Sequence, residues 1–269
     1  MVKIACIIPS RYASTRLPGK PLRLIAGKTL IQRVYERAIQ AKVPDICIVA
    51  TDHKDIEAEV LRFGGRVVMT SPDHPTGTDR LAEVAEKYPD YDIIVNVQGD
   101  EPLIDPDVID RLASVLIEKK DCAMATVATP LKESEYEDNT AVKVVLNQKD
   151  EALYFSRSLI PYPRHAFAVP PLKHVGIYAY RRDFLLQYAK LEQTPLEKTE
   201  SLEQLRALEM GYHIAVIKTK SEDIGIDTEA DLARAEAYLK GEKTNETYSG
   251  RKSDIGRKPS VPDCRTMCN

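Results

Sequence analysis

The stretch Val2-Lys3-Ile4-Ala5-Cys6-Ile7-Ile8-Pro9-Ser10-Arg11-Tyr12-Ala13-Ser14-Thr15-Arg16-Leu17-Pro18-Gly19-Lys20-Pro21 joins an apolar run to a cationic loop. Val2 to Ile8 has the length and continuity of a strand buried on both faces, and Pro9 ends it. Arg11, Arg16 and Lys20 then fall within ten residues, with Gly19 and small hydroxyl residues between them. That composition suits a loop around a polyphosphate. Guanidinium groups fork phosphate oxygens, an ammonium adds a point charge, and small residues let the backbone come close. Ser14 stands where a Walker A loop has its first Gly, and Pro21 replaces the magnesium-binding Ser or Thr, so this is not a P-loop. No G-x-G-x-x-G occurs, which removes support for a dinucleotide fold. A solvated basic loop is the plainer reading of the same residues.

Outward from this stretch, strand and helix patterns alternate. Leu30, Val34, Ala38 and Ala41 mark one helical face, and Ile46 to Ala50 reads as a second buried strand. Ile56 to Phe63 reads as a helix closed by Gly64-Gly65, Arg66 to Met69 as a strand, Asp79 to Lys87 as a helix and Ile93 to Val97 as a strand. This rhythm implies right-handed crossovers and a mostly parallel, doubly wound α/β sheet. From 98 onward it loosens. Asp107 to Lys119 reads as a helix, with strands at Ala123–Ala128, Val142–Leu146, His174–Tyr180 and His213–Lys218. Helices are expected at about 182–190 and 199–210, and a last one opens at Asp227-Thr228 with a loose capping box to Asp231. The Pro- and Tyr-rich stretch Leu159–Pro171 reads as part of an insertion for substrate contacts or a subunit interface.

Composition narrows the classes. The 269 residues hold 38 Lys plus Arg against 41 Asp plus Glu, a net charge of −3, which gives no electrostatic reason to expect nucleic acid. No apolar run approaches the roughly 20 residues of a membrane helix, and the N-terminal run is too short for a signal peptide. Five cysteines without framework spacing argue against a disulfide scaffold, so a cytoplasmic protein is expected. Residues 240–269 carry seven Lys or Arg against four Asp or Glu and almost no aliphatic side chains, so they are expected to be disordered or extraneous. Cys264 and Cys268 there lack a second ligand pair and read as free thiols. One domain over 1–239 is expected.

In open α/β sheets, ligands lie beyond the carboxyl ends of the strands. Besides the cationic loop, three polar clusters fall there. Thr51-Asp52-His53 and Pro75-Thr76-Gly77-Thr78-Asp79-Arg80 are weak signals, because Thr51, Asp52 or Thr78 serves equally well as a helix cap. Gln98-Gly99-Asp100-Glu101-Pro102 is stronger. An Asp after a strand suits Mg²⁺, which takes one or two carboxylates plus phosphate oxygens. Asp227, read as the end of another strand, is placed to face Asp100; its plainer reading is a helix cap. Phosphate loop and paired carboxylates together point to metal-assisted attack on a nucleoside triphosphate.

These blocks, from Ile8–Pro21 through Ala50–His53 and Val95–Pro102, resemble the 3-deoxy-D-manno-octulosonate (Kdo) cytidylyltransferases. The resemblance continues through Ala141–Leu146, Ala152–Arg157, His174–Tyr178, Leu202–Arg206 and Gly225–Thr228. It covers roughly 1–239 in order. Ser10 stands where many relatives have Ala, and Pro75–Arg80 departs from their usual Ser-Gly-Thr-Glu-Arg, without loss of a charge that the chemistry needs.

The resemblance implies a three-layer αβα fold of nucleotidyltransferase type, with about 129–215 adding sugar-binding and dimerisation elements. It implies transfer of CMP from CTP to Kdo, by attack of the Kdo 2-hydroxyl on the α-phosphorus with loss of pyrophosphate. Arg11, Arg16, Lys20, Asp100 and Asp227 are then catalytic, the last two holding Mg²⁺. Pro9, Ser10, Arg11, Lys20, Thr51, Asp52, Ser71, Thr76, Gly77, Thr78, Arg80, Gln98 and Asp100 contact the nucleotide. Gln98, His174, Tyr178, Glu203 and Gln204 line the sugar pocket. Arg157, on its motif, and Arg164, on its place in the Pro-rich stretch, are candidates for the sugar carboxylate. A homodimer is implied. A CMP-sialic acid synthetase is the nearest rival, but its phosphate loop carries a Lys-Gly step where this chain has Thr15-Arg16. A sugar-1-phosphate nucleotidyltransferase would open with a Gly-rich loop, and a silent nucleotide-binding module would not keep Lys20, Asp100 and Asp227 together.

Overall fold

The computed structural model describes residues 2–13, 17–165, 167–220 and 225–241. Arg16 and the tail from 242, including Cys264 and Cys268, lie outside the described residues. The elements run β1 (Ile4–Ser10), β2 (Leu24–Ile25), β3 (Lys28–Thr29), α1 (Leu30–Ala38), β4 (Ile46–Thr51), α2 (Lys54–Arg62) and β5 (Val67–Met69). They continue with α3 (Gly77–Lys87), β6 (Ile93–Asn96), α4 (Pro106–Glu118), β7 (Cys122–Pro130), β8 (Lys143–Leu146), β9 (Ala152–Ser156) and β10 (Leu172–Arg181). The chain then forms α5 (Arg182–Tyr188), α6 (Pro195–Glu200), α7 (Gln204–Glu209), β11 (His213–Lys218) and α8 (Glu229–Leu239).

The main sheet runs β11-β7-β10-β6-β1-β4-β5, with β8 on β10 and β9 on β8. β1 pairs in parallel with both β4 and β6, β5 with β4, and β11 with β7. β10 runs antiparallel to β6, β7 and β8. Both faces are covered, as buried parallel strands require. Ile4, Cys6 and Ile8 point toward Val34 of α1, Val60 of α2 and Leu112 of α4, while Ala5 and Ile7 point toward Leu81 of α3 and Leu185 of α5. The chain leaves β1 toward β4 and β5, then returns to place β6 on the other flank of β1. That reversal is a topological switch point, and it opens a crevice at the carboxyl ends of β1 and β6.

Several elements differ from the sequence expectation. β1 runs through Pro9 to Ser10, because Pro removes one donor near the strand end but leaves the pairing with Ala50 and Thr51 intact. The expected helix at 199–210 is two helices, separated where Ser201 takes φ +52°. The hairpin β2–β3 was not expected; its turn puts Ala26 and Gly27 both at positive φ, the backbone of a type I′ connection. β9 carries part of the resemblance yet has too few alternating residues to stand out as a strand.

Candidate active site

Lys20, Asp100 and Asp227 meet in the crevice. The Lys20 ammonium lies 2.6 Å from Asp100 and 3.2 Å from Asp227, bridging carboxylates 127 positions apart in sequence. Gly19, at φ +64°, turns the chain into a short 3-10 segment at Lys20–Leu22 and aims the side chain inward. Asp100 follows Gly99, whose Cα passes so close to β1 that an added Cβ would sit 2.6 Å from the Pro9 carbonyl oxygen. Only a residue without a Cβ fits there. Asp227 is positioned differently from the expectation: among the described residues no strand leads to it. Instead the Ile226 N–H donates to the Asp100 carbonyl at 2.9 Å, and the Asp227 N–H donates to the Asp231 carboxylate at 2.9 Å. Thr228 caps α8 in a full capping box with Asp231, as the sequence suggested.

Along the crevice toward β4, Arg80 is fully buried and its guanidinium pairs with Asp52 at 2.7 Å and with the Thr70 hydroxyl. Arg11 donates to the Pro75 carbonyl at 3.3 Å, and its Nη2 is buried with no partner among the described residues. Burial, then the neighbouring Arg80 charge, lowers the Arg11 pKa, while Asp52 and Asp79 oppose the shift. The Ser10 hydroxyl is also buried without a partner. A buried, unpaired guanidinium nitrogen beside an unpaired hydroxyl is a set of donors waiting for an anion. The caps differ from expectation: His53, not Thr51 or Asp52, caps α2, and Thr76, not Thr78, caps α3 in a capping box with Asp79. Thr51 is buried at the end of β4, and Ser71 forms a turn, its N–H donating to Glu83 and its hydroxyl accepting from Asp73 N. Gly77 is the first residue of α3.

The end of the crevice beside β10 is of another kind. The pairing of β10 with β7 shifts register between Val175 and Tyr178, a bulge that re-aims the side chains around it. Gln98 fastens the bulge to the loop after β6 by donating to the Gly176 carbonyl at 2.8 Å. His174 keeps some exposed area, yet its ring packs on Phe155 and Tyr178 at 5.0 and 5.5 Å, and desolvation lowers its pKa to about 3. Desolvation raises Tyr178 as well; its hydroxyl faces the Gln204 side chain at 3.4 Å. The Gln204 Nε2 is buried with no partner among the described residues. Glu203 accepts from the Thr78 hydroxyl at 3.1 Å, and desolvation raises its pKa although that hydrogen bond opposes the shift. Thr78 on α3 thus ties the two ends of the crevice together.

The two arginines expected on the sugar carboxylate are placed otherwise. The Arg157 guanidinium donates to the carbonyls of Glu200, Asn139 and Ser201 at 2.7, 3.0 and 3.3 Å. It holds the corner between α6 and α7, which the buried Glu197–Arg206 pair at 2.6 Å also braces. Arg164 is exposed, and its N–H donates to the Tyr162 carbonyl. Sequence reasoning missed Lys143, fully buried and donating to the Asp138 and Arg157 carbonyls, and Thr126, which touches both His174 and the bulge. A lysine inside an apolar strand motif was the one available signal for the first; nothing in the sequence marks the second.

A three-layer sheet with a cationic loop and paired carboxylates at its switch point defines a nucleotide-handling transferase, and comparison with known proteins agrees. A profile of the cytidylyltransferase family matches residues 5–223, and the chain belongs to that family. The chain is 52% identical to the 3-deoxy-manno-octulosonate cytidylyltransferase of Syntrophotalea carbinolica, across 89% of this chain and all of that one. It is 50% identical to the same-named protein of Fusobacterium nucleatum, across 89% and 98%. A solved structure of CMP:2-keto-3-deoxy-manno-octonic acid synthetase complexed with CTP superposes with a TM-score of 0.86 at 45% identity, covering 90% of this chain and all of that one. No helix among the described residues is long and apolar enough to cross a membrane.

Proposed function

We propose that the chain transfers CMP from CTP to Kdo, releasing pyrophosphate. The observation that carries this reading is the convergence of Lys20, Asp100 and Asp227 at the switch point of the sheet, supported by the relatives' names. Arg11, with Nη2 and the Ser10 hydroxyl unpaired, is suited to receive the triphosphate. Lys20 is suited to meet charge growing on the leaving pyrophosphate. Glu203, Gln204, Tyr178 and His174 offer the uncharged or charge-suppressed groups that orient a polyhydroxy acid.

Cytidylyltransferases generally use a divalent metal. The residues here fit one: two carboxylates already share a single cation, the Lys20 ammonium, and their oxygens are the hard donors Mg²⁺ prefers. We assign Asp100 and Asp227 as its protein ligands. When bound, Mg²⁺ would polarise the α-phosphate and draw the sugar hydroxyl toward it. With Mg²⁺ bound, Lys20 would leave the space between the carboxylates and turn its ammonium to phosphate.

A homodimer in the cytoplasm completes the reading. Leu153, Tyr162 and Val169 are exposed apolar side chains in the region 129–215, on or beside the Pro-rich stretch, where a twofold partner would bury them. Light scattering should give a mass about twice the 30.2 kDa of one chain, and a monomer mass refutes the dimer. The activity is tested by pyrophosphate release from CTP with and without Kdo, and from UTP with Kdo. Release that needs Kdo and prefers CTP is expected. Equal kcat/KM for CTP and UTP, or release indifferent to Kdo, would overturn the assignment.

A further inference from the structure

We infer that Thr126 is a positioning residue that locks His174 in one neutral tautomer, with Nε2 protonated and Nδ1 left as a hydrogen-bond acceptor for a sugar hydroxyl. The Thr126 hydroxyl oxygen lies 2.8 Å from the Ile177 carbonyl, 3.2 Å from the Val175 carbonyl and 2.9 Å from His174 Nε2. A hydroxyl has one proton, and carbonyl oxygens can only accept. If that proton went to His174, two carbonyls would face bare oxygen lone pairs in a fully buried position. The bulge therefore takes the Thr126 proton, and Nε2 must be the donor in its contact with Thr126. One N–H on a neutral imidazole leaves Nδ1 with its lone pair. Desolvation, which keeps the ring neutral, points the same way.

The bulge gives this arrangement its purpose. The register shift falls at the carbonyls of Val175, Gly176 and Ile177; the single Thr126 proton goes to Ile177, the nearer of the two carbonyls it faces, and Gln98 donates to Gly176. An imidazole so held accepts a hydrogen bond from an acceptor sugar hydroxyl and repels a carbonyl or ether oxygen at the same place. This use of Nδ1 rests on the Kdo reading; the tautomer does not.

Protein labelled with ¹⁵N-histidine decides both parts. Long-range ¹H–¹⁵N spectra, with His174 assigned by its loss in His174→Gln, should show protonated Nε2, bare Nδ1 and no titration from about pH 5 to pH 8. Protonated Nδ1, or an imidazolium in that range, overturns the proposal in the wild type alone. Thr126→Val should mix the tautomers and lower kcat/KM for Kdo about tenfold, with the KM for CTP unchanged. Thr126→Ser should restore both. A Thr126→Val protein that keeps the Nε2–H tautomer, or mixes tautomers with unaltered Kdo kinetics, refutes Thr126 as the positioning residue. Should the wild type fail to use Kdo, the function assignment falls while the spectrum still reads the tautomer.

Discussion

At the β1–β6 end of the crevice, Lys20, Asp100 and Asp227 pair with one another, and Arg11 and Arg80 lie beside Asp52. At the β10–α7 end, desolvation holds His174 neutral, raises Tyr178 and raises Glu203, and hydrogen bonds of Thr126, Gln98 and Thr78 fix the geometry. The two ends match the two proposed substrates. A triphosphate needs full opposite charge and a reacting centre where charge grows. A polyhydroxy acid needs directed acceptors and donors whose own charge is silent.

Removal of one carboxylate should break the charged end most severely. Asp100→Asn or Asp227→Asn is expected to lower turnover on the order of a thousandfold, similar to removal of a preorganised charge stabiliser. The fold should remain, because both carboxylates lie in the crevice outside the hydrophobic core, and far-UV circular dichroism checks this. Near-normal, magnesium-dependent turnover in either variant would remove that residue from the metal site.

Lys20→Ala should cost somewhat less, about a hundredfold in kcat/KM for CTP, equivalent to roughly 3 kcal/mol at the transition state. Lys28 is the internal control. It lies eight residues on and pairs with Glu36 at 2.7 Å on the surface, where such a pair contributes only about 0–1 kcal/mol. Lys28→Ala should leave kcat/KM nearly unchanged. Equal, slight losses in both variants would reduce the loop to a basic surface and erase the contrast between the two ends.

The same contrast explains what could be read in the sequence. Arg11, Lys20 and Asp100 stand out because they lie in the loops that follow the apolar strands β1 and β6, where open α/β sheets bind their ligands. Asp227 was found for an inexact reason: it follows no described strand, and it is placed by the Ile226 N–H bond to the Asp100 carbonyl and its own N–H bond to the Asp231 carboxylate, both invisible in the sequence. The alternation of strands and helices over 1–97 was legible because its central strands β1, β4 and β6 are buried on both faces. At the other end the signal fades. Thr126 is one more β-branched residue in β7, Ser201 carries no mark of a left-handed break, and a two-residue bulge in β10 leaves the apolar pattern almost intact. Arg157 was singled out by its motif as a partner for the sugar carboxylate, but its guanidinium is engaged by three carbonyls and shapes the corner ahead of Glu203 and Gln204.

The finest test of the comparison is the pH dependence of stability, where the two ends should act in opposite senses. Glu203 has a folded pKa above its ordinary 4.5, chiefly through desolvation. Between those values the folded chain keeps a proton that the unfolded chain releases, so stability falls as pH rises across the window. Glu203→Gln removes the titrating group, and its urea midpoint should lose that downward slope. Glu83 on α3 shows the reverse. Desolvation opposes the shift, but hydrogen bonds from Lys87, Ser71 and His74 carry its pKa down to about 2. Its contribution is present above pH 4.5 and lost as pH falls toward about 2, because the unfolded chain takes up the proton first. Glu83→Gln should therefore flatten the acid limb while leaving the slope above pH 4.5 in place. Both effects are small beside the loss of a carboxylate from the crevice, and they are separable because the windows lie on opposite sides of the unperturbed value. A Glu203→Gln protein whose midpoint still declines as steeply above pH 4.5 would show that burial does not raise the pKa of this carboxyl, and the contrast between the two ends would lose one of its supports.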